Sequence, residues 1–297
     1  SQPEILPIQR LMDGRVIAAH GRQYIVELPD RSRLSCFPRG KKSDVACGDR
    51  VIIEQTSDNQ GVINTIQPRT SLLYRSNEVK QKLIAANVDQ VVIVIATEPS
   101  FSDDLVTRAL LAVESEEIEP LIVLNKCDLA DKLPQARERV AIFAQLGYRI
   151  LELSALEHAE DLRPALQGFT SVLVGQSGMG KSTLVNTLVP EAHAATREIS
   201  SALDSGKHTT THATLYHLDD ESELIDSPGL QEFGLGHLDR QEIEYAFREF
   251  RPFVGQCRFR DCRHDREPNC ALLAAVDAGI IDKRRFATYH RIVASIR

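Results

Sequence analysis

The stretch VLVGQSGMGKSTLVNTL, residues 172–188, decides the fold class of this chain. Within it, residues 175–182 match the pattern G-x-x-x-x-G-K-[ST] in full. An apolar run typical of a strand precedes the match, and a helical pattern follows it. The stretch therefore predicts a strand, a phosphate-binding loop and a helix within an α/β domain.

Each residue type in this phosphate loop has a chemical reason to be there. Glycines allow backbone N–H groups to turn toward phosphates at the positive end of the following helix. Lys181 is predicted to contact the β- and γ-phosphates, and the Ser182 hydroxyl to ligate Mg²⁺. An ordinary glycine turn is the alternative. The predicted nucleotide-binding residues of the loop are Gly175, Gln176, Ser177, Gly178, Met179, Gly180, Lys181, Ser182 and Thr183.

A second motif predicts how the base is recognised. Residues 125–128, NKCD, follow the apolar run LIVL and so lie at the carboxyl end of a strand, where ligands bind in such sheets. The Asp128 carboxylate can accept hydrogen bonds from guanine N1–H and its exocyclic amine, whereas adenine has an acceptor at that ring position. The predicted guanine-binding residues are Asn125, Lys126, Cys127 and Asp128, with Ser154 and Ala155 after the next strand.

A third motif, DSPG at residues 226–229, ends a later strand and matches D-x-x-G. Asp226 is predicted to hold Mg²⁺ through water, and the Gly229 N–H to sense the γ-phosphate. The polar segment 190–212 has the character of a loop ordered by nucleotide. Within it, Thr210 is predicted to complete the Mg²⁺ shell, with Thr211 as the alternative.

The order of these motifs is unusual, because the base-reading loop precedes the phosphate loop. All the parts are present but rotated along the chain, which a compact fold tolerates when the new ends lie at the surface. As a consequence the D-x-x-G segment leads directly into the C-terminal part. We therefore expect loss of the γ-phosphate to act on whatever follows it.

The residue directly after D-x-x-G bears on hydrolysis. Many GTPases have a water-orienting glutamine there, but this chain has Leu230, which lacks a hydrogen-bonding group. Intrinsic hydrolysis is therefore expected to be slow unless another residue orients the water. His208, beside the threonines of the polar segment, is the predicted catalytic residue because an imidazole can polarise water near neutral pH. A solvated loop histidine is the alternative.

A Cys/His cluster near the C-terminus predicts a metal site. Its residues are Cys257, Cys262, His264 and Cys270, spaced C-x₄-C-x-H-x₅-C. Such ligands suit tetrahedral, structural Zn²⁺, which would fold a segment too small to bury much core. A disulfide with a free thiol is the alternative. The arginines interleaved with the ligands either bind RNA phosphate or are ordinary solvated side chains.

The chain divides into three predicted parts. Residues 1–69 contain five short β runs, which favour a small antiparallel barrel, an OB-fold contacting RNA through its backbone and shape. Residues 70–235 alternate strands with helices, which predicts the largely parallel sheet of a circularly permuted GTPase domain. Residues 236–297 combine the Cys/His cluster with helical patterns and predict a helical zinc-binding domain. The fold class is therefore a multidomain α/β protein.

Composition sets the expected environment and partners. With 42% hydrophobic and 26% charged residues the chain is typical of a globular protein, and no apolar run approaches the roughly 18 residues of a membrane span. No leader is visible, and six scattered or clustered cysteines suit a reducing cytoplasm. We expect a monomer without membrane association.

The net charge of −7 is unevenly distributed. Residues 1–69 have 10 Lys/Arg and 8 Asp/Glu, residues 70–249 have 15 and 29, and residues 250–297 have 10 and 5. We therefore expect a polyanion to be bound by the two ends, with randomly scattered surface charge as the alternative.

Taken together, these motifs resemble the RsgA (YjeQ) family of circularly permuted bacterial GTPases that assist late assembly of the small ribosomal subunit. The resemblance covers nearly the whole chain and includes AANVDQ at 85–90 and GKHTTT at 206–211 besides the motifs above. It implies hydrolysis of GTP to GDP and phosphate, stimulated by the 30S subunit, and binding to 16S rRNA near the decoding region. It also implies His208 as the catalytic histidine and Leu230 as a hydrophobic substitute for the missing glutamine.

Two other classes of function remain as alternatives. One is a nucleotide-gated rRNA-binding module whose own hydrolysis is incidental. The other is an ATPase or small-molecule kinase, which a preference for ATP would reveal.

Overall fold

The computed structural model describes residues 10–40, 44–75, 82–192 and 212–296. The N-terminal part is a barrel of five strands. These are β1 (Leu11–His20), β2 (Gln23–Glu27), β3 (Arg33–Pro38), β4 (Arg50–Gln55) and β5 (Gln60–Ile66). Their order is β1-β2-β3-β5-β4, and β4 pairs back to β1 to close the barrel.

The predicted N-terminal strand barrel is confirmed, with one difference in strand direction. Strands β3 and β5 pair in parallel, while the other neighbours in the barrel are antiparallel. The long connection from β3 through β4 allows β5 to return in the same direction as β3. Alternate residues of these strands point inward, and Val26, Val51 and Ile53 are fully buried in the barrel core.

The central part is an α/β layer structure. Its elements are β6 (Leu72–Arg75), β7 (Lys82–Ala86), β8 (Gln90–Ala96), α1 (Asp103–Ser115), β9 (Glu119–Asn125), α2 (Leu133–Gln145), β10 (Arg149–Glu152), α3 (Ala155–His158), α4 (Arg163–Leu166), β11 (Thr170–Val174), α5 (Lys181–Leu188), β12 (Thr214–His217) and β13 (Glu223–Asp226).

The sheet of this central part has the order β10-β9-β8-β11-β13-β12. All neighbours are parallel except β12 and β13, which are antiparallel. Every residue of β8 is buried, as expected for a parallel strand covered on both faces. The carboxyl ends of β9, β11 and β13 therefore lie along one edge, where the three nucleotide motifs begin.

The barrel and the central sheet are continuous. Strand β1 pairs antiparallel with β12 through Ala18 and Thr214, so the two parts form one eleven-stranded sheet. Two side-chain contacts reinforce this junction: an ion pair of Arg15 with Glu223 at 3.0 Å, and a hydrogen bond between His217 Nε2 and Glu27 Oε1 at 2.7 Å. Hydrogen bonding between strands thus crosses the boundary expected at residue 69.

The C-terminal part is helical. It contains α6 (Arg240–Ala246), a 3₁₀ turn (Arg248–Phe253), α7 (Ala271–Asp277) and α8 (Lys283–Ser295). Aromatic rings form its core, with Phe247 stacked on Phe250 at 4.7 Å and Tyr289 edge-on to both. Among the described residues, no helix is both long and apolar enough to cross a membrane.

Candidate functional site

The phosphate loop lies between β11 and α5, as the sequence predicts. Gly180, immediately before α5, has φ of 91°, a conformation that favours glycine. A Cβ at Gly180 would lie 2.0 Å from Asn125 Nδ2, and one at Gly175 would lie 2.7 Å from the Val94 carbonyl. The glycines are therefore required both for the turn and for the close approach of neighbouring chain segments.

Asn125 joins the three loops predicted to bind the nucleotide. Its Nδ2 donates to the Met179 carbonyl at 2.9 Å, and its Oδ1 accepts from the Ala155 N–H at 2.8 Å. Lys126 adds a second link, because its Nζ donates to the Gly178 carbonyl at 2.7 Å. Asn125 is buried, so these contacts hold the base-reading loop against the phosphate loop although the two are separated in sequence.

The remaining predicted base-binding residues surround this junction. Asp128 is exposed, and its carboxylate is therefore accessible to a ligand. Cys127 donates its N–H to the Leu153 carbonyl at 3.2 Å, which places the loop beside the end of β10. The Ser154 hydroxyl oxygen is buried and has no hydrogen-bond partner among the described residues. A buried polar atom of this kind suits contact with a ligand.

The D-x-x-G loop, residues 226–229, lies directly on the phosphate loop. Lys181 Nζ donates to the carbonyls of Ser227 at 3.1 Å and Leu230 at 3.3 Å. The Gly175 N–H also donates to the Leu230 carbonyl, at 3.2 Å. The D-x-x-G loop and the phosphate loop thus share hydrogen bonds at the position predicted for the terminal phosphates.

Burial shifts the pKa of two ionisable groups at this junction. Burial lowers the pKa of Lys181, and the nearby Arg75 lowers it further, while Asp226 opposes both. Burial likewise raises the pKa of Asp226, against the effect of Lys181. Lys181 and Asp226 are therefore neighbours in a poorly solvated site, where burial favours the uncharged form of each and their mutual attraction favours the charged forms.

Two contacts at this site were missed by the sequence analysis. Arg75 Nη2 approaches the Ser227 hydroxyl at 3.3 Å and the Pro228 carbonyl at 3.5 Å. Gln176 Oε1 accepts the N–H of Ser102, the N-cap of α1, at 3.0 Å. Neither Arg75 nor Ser102 belongs to a recognisable motif, so no local signal identifies them. The predicted His208, Thr210 and Thr211 lie outside the described residues.

The predicted metal cluster is assembled at the C-terminal part. The ligand atoms of Cys257, Cys262, His264 and Cys270 all lie within 4.8 Å of one another. Cys257 Sγ is 3.8 Å from Cys270 Sγ and 3.6 Å from His264 Nδ1. Zn–S bonds of about 2.3 Å in a tetrahedron give S···S edges of about 3.8 Å. The four residues therefore fit a tetrahedral zinc ion, and all six cysteines of the chain are free of disulfides.

The cluster is supported by surrounding hydrogen bonds. Glu244 Oε1 lies 3.1 Å from His264 Nε2 and accepts the Tyr289 hydroxyl at 2.8 Å. The Ala271 N–H donates to Cys257 Sγ at 3.3 Å. A carboxylate on the outer nitrogen of a ligating histidine fixes the orientation of the ring. Glu244 thus connects α6, the metal loop and α8.

Comparison with known proteins agrees with this geometry. The profile of a family described as RsgA GTPase matches residues 66–236. A Burkholderia pseudomallei (strain K96243) protein named small ribosomal subunit biogenesis GTPase RsgA is 58% identical over 285 residues, which cover 94% of this chain and 91% of the relative. The protein of the same name from Nitrosospira multiformis is 51% identical over 283 residues, covering 95% and 90%.

Solved structures extend the likeness to the whole fold. The crystal structure of YjeQ from Thermotoga maritima has a TM-score of 0.73 and 30% identity, covering 97% of this chain and 99% of that one. The crystal structure of YloQ, described as a circularly permuted GTPase, has a TM-score of 0.71 and 27% identity, covering 100% and 98%.

The barrel, the permuted order of motifs and the shared loops define the class of this protein: a circularly permuted GTPase with a C-terminal Cys/His cluster. The chain belongs to the RsgA GTPase family, and it is a GTP-hydrolysing enzyme.

Proposed function

We propose that this GTPase binds the small (30S) ribosomal subunit and assists its late maturation, hydrolysing GTP to GDP and phosphate faster when the subunit is bound. The relatives from Burkholderia and Nitrosospira are named as small ribosomal subunit biogenesis GTPases, which supports this role. The observation that supports nucleotide binding best is Asn125, which hydrogen bonds to both the phosphate loop and the loop after β10.

This proposal gives each predicted site residue a role in binding or hydrolysing GTP. Asp128 selects guanine, while Asn125, Lys126 and the backbone at 154–155 shape the base site. Lys181 and the backbone of 175–183 bind the phosphates. Ser182, Thr210 and Asp226 hold Mg²⁺, which when bound neutralises phosphate charge. His208 orients the attacking water.

The surface of the C-terminal part suits contact with 16S rRNA. The arginines around the metal cluster are Arg258, Arg260, Arg263 and Arg266. The Arg258 guanidinium lies 5.4 Å from the centre of the Phe259 ring, and that ring is 42% exposed. A basic surface with an exposed aromatic ring can bind both phosphates and unstacked bases. We propose that a zinc ion on the four ligands folds this surface.

The proposed division into parts follows from these roles. Residues 1–69 form an RNA-contacting barrel, residues 70–235 bind and hydrolyse the nucleotide, and residues 236–297 present the basic surface. We also propose that the protein is a monomer and works in a reducing cytoplasm; six free cysteines are consistent with that compartment.

Hydrolysis measured at multiple turnover, with and without 30S particles, tests the proposed function. We expect a large increase in kcat with 30S particles and none with 50S particles, which control for general RNA binding. Equal rates with and without 30S particles would refute the proposal. Metal analysis of the purified protein should find about one zinc per chain, as four protein ligands with no open position imply.

A further inference from the structure

The β6–β7 hairpin is attached to the chain segment that follows the D-x-x-G loop. Arg75, the last residue of β6, forms an isolated antiparallel bridge with Phe233. The Gly234 N–H donates to the Tyr74 carbonyl at 2.8 Å. The end of the hairpin therefore lies beside the D-x-x-G loop, although no nucleotide motif includes these residues.

Arg75 is the hairpin residue that contacts the D-x-x-G loop. Its Nη2 approaches the Ser227 hydroxyl and the Pro228 carbonyl, while Lys181 Nζ donates to the Ser227 and Leu230 carbonyls. The charge of Arg75 acts directly on the Lys181 ammonium. The cations Arg75 and Lys181 thus both contact the D-x-x-G loop, and Lys181 also contacts Leu230, the residue after it.

A third cation stands next to Arg75. Lys82 is its register partner across the hairpin, and like charges directly opposite each other in a sheet are destabilising. Both residues, together with Ser227 and His212, line a cavity of about 90 Å³ between the barrel, the hairpin and the D-x-x-G loop. Within the described part of the chain, Arg75 hydrogen bonds to the D-x-x-G loop and Lys82 does not.

We propose that Arg75 is a catalytic arginine supplied in cis, which stabilises the charge that develops on the γ-phosphoryl group during GTP hydrolysis. This proposal rests on the proposed phosphate site at Lys181 and Asp226. In the reaction the water oxygen bonds to the γ-phosphorus, and the bond from that phosphorus to the β–γ bridging oxygen breaks. The electron pair of the broken bond stays on the β-phosphate of GDP, and a proton of the water passes to an oxygen of the phosphate product, which leaves as H₂PO₄⁻. Negative charge spreads over the equatorial and leaving oxygens, where a guanidinium is most effective.

The local chemistry favours this role over a purely structural one. Leu230 is buried and offers no polar side-chain group at the position after D-x-x-G. The contacts of Arg75 with the loop are long, at 3.3 and 3.5 Å, whereas charge-assisted bonds from a guanidinium to phosphoryl oxygens are shorter and stronger.

Binding of a fluorescent mant-GDP with and without aluminium fluoride tests the proposal, since GDP with aluminium fluoride imitates the transferring phosphoryl group. In the wild type, aluminium fluoride should tighten mant-GDP binding. Arg75→Ala should bind mant-GDP within about twofold of the wild type but lose the tightening, and its kcat should fall ~10²–10³-fold with little change in KM. Arg75→Lys should recover part of the loss.

Lys82→Ala is the matched control, because it removes a neighbouring charge without touching the D-x-x-G loop. It should keep the tightening by aluminium fluoride. Equal losses in Lys82→Ala and Arg75→Ala, or a retained tightening in Arg75→Ala, would overturn the proposal. The proposal would also be overturned if Arg75→Ala and Arg75→Lys both weakened the binding of mant-GDP equally with and without aluminium fluoride. That result would indicate that Arg75 only holds the D-x-x-G loop in place. Failure of the wild type to bind mant-GDP would instead refute the nucleotide site itself.

Discussion

At the scale of single residues, Gly180 lies where the phosphate loop packs against Asn125 of the base-reading loop. The space that a side chain would need is already filled by the amide of Asn125. The pattern G-x-x-x-x-G-K-[ST] predicts this glycine for its turn and its contact with phosphate. The structure adds a second reason, the packing of a loop that precedes it in sequence by more than fifty residues.

Gly180→Ala should abolish measurable nucleotide binding, because its Cβ would displace Asn125 and separate the two loops. Gly168→Ala is a matched control, since Gly168 also has positive φ, at 76°, but no atom lies near its added Cβ. Both variants should lose about 1–3 kcal/mol of stability from backbone strain. Thermal unfolding with and without GDP separates the effects, and stabilisation of Gly180→Ala by GDP would contradict this expectation.

Asp128→Asn should weaken GTP binding at least tenfold, since the new amide keeps an acceptor for guanine N1–H but places an N–H donor against the exocyclic amine. Binding of xanthosine triphosphate should improve, because its carbonyl at position 2 can accept from the new amide. Competition between the two triphosphates measures the change in base preference. An unaltered preference for GTP would show that Asp128 does not contact the base.

At the scale of elements, the sequence predicts the strands that lead into the nucleotide motifs and misses two strands that no motif marks. The runs before the NKCD motif, the phosphate loop and the DSPG motif are β9, β11 and β13. Strands β6 and β12 have only four residues each, LLYR and TLYH, with mixed polarity. They are stabilised by pairing with β7 and β13, which local sequence does not reveal.

The same reasoning applies to the site. Its motif loops were predictable because phosphate and guanine binding impose fixed residue types at fixed spacing. Arg75 was not predictable, since the loop that it contacts is about 150 residues away in sequence. The parallel pairing of β3 with β5 was not predictable either, because an apolar pattern reveals a strand but not the direction of the strand beside it.

Helix α6 supplies the carboxylate that orients His264. Glu244→Gln should lower zinc affinity ~10–100-fold, as losses of such supporting carboxylates usually do. Glu249→Gln is the control, because Glu249 pairs with Arg285 and is not among the groups around the cluster. Competition with a coloured chelator measures zinc retention in both variants. If Glu244→Gln retains zinc as firmly as Glu249→Gln, then the carboxylate is not needed to orient the ring.

At the scale of the whole molecule, α1 connects the nucleotide site with the C-terminal helix. Its N-cap Ser102 bonds to Gln176 of the phosphate loop. Its first turn contains Asp103, which pairs with Arg284 of α8, and Asp104, which pairs with Arg291 of α8 at 2.8 Å. The order of the motifs predicts that the D-x-x-G segment links the nucleotide to the C-terminal part. The structure offers α1 as an additional link.

The Asp103–Arg284 pair should stabilise the docking of α8 in a pH-dependent manner. Burial opposes ionisation of Asp103, but hydrogen bonds and charge from Arg284 and Arg139 hold its pKa below the ordinary value of 3.8. A carboxyl with a lowered pKa in the folded state stabilises the protein above its ordinary pKa. This contribution disappears as the pH falls through the lowered value.

Unfolding of wild type, Asp103→Asn, Arg284→Ala and the double variant measures this pair. We expect a coupling free energy of about 1 kcal/mol near pH 7, which should decrease as the pH falls through the lowered pKa of Asp103 and the carboxyl is protonated. Asp104→Asn, on the same turn, is the control for loss of negative charge near the helix N-terminus. A coupling that is independent of pH would contradict this interpretation.

The pairing of β1 with β12 has a practical consequence for truncation. A shortened protein that begins at residue 70 would leave one side of β12 without the partner that Ala18 provides. Unpaired N–H and C=O groups along a strand act as a template for other chains. Such a fragment is therefore expected to self-associate, so excising the nucleotide-binding portion for separate study would require retaining β1 or placing a lysine on the bared strand.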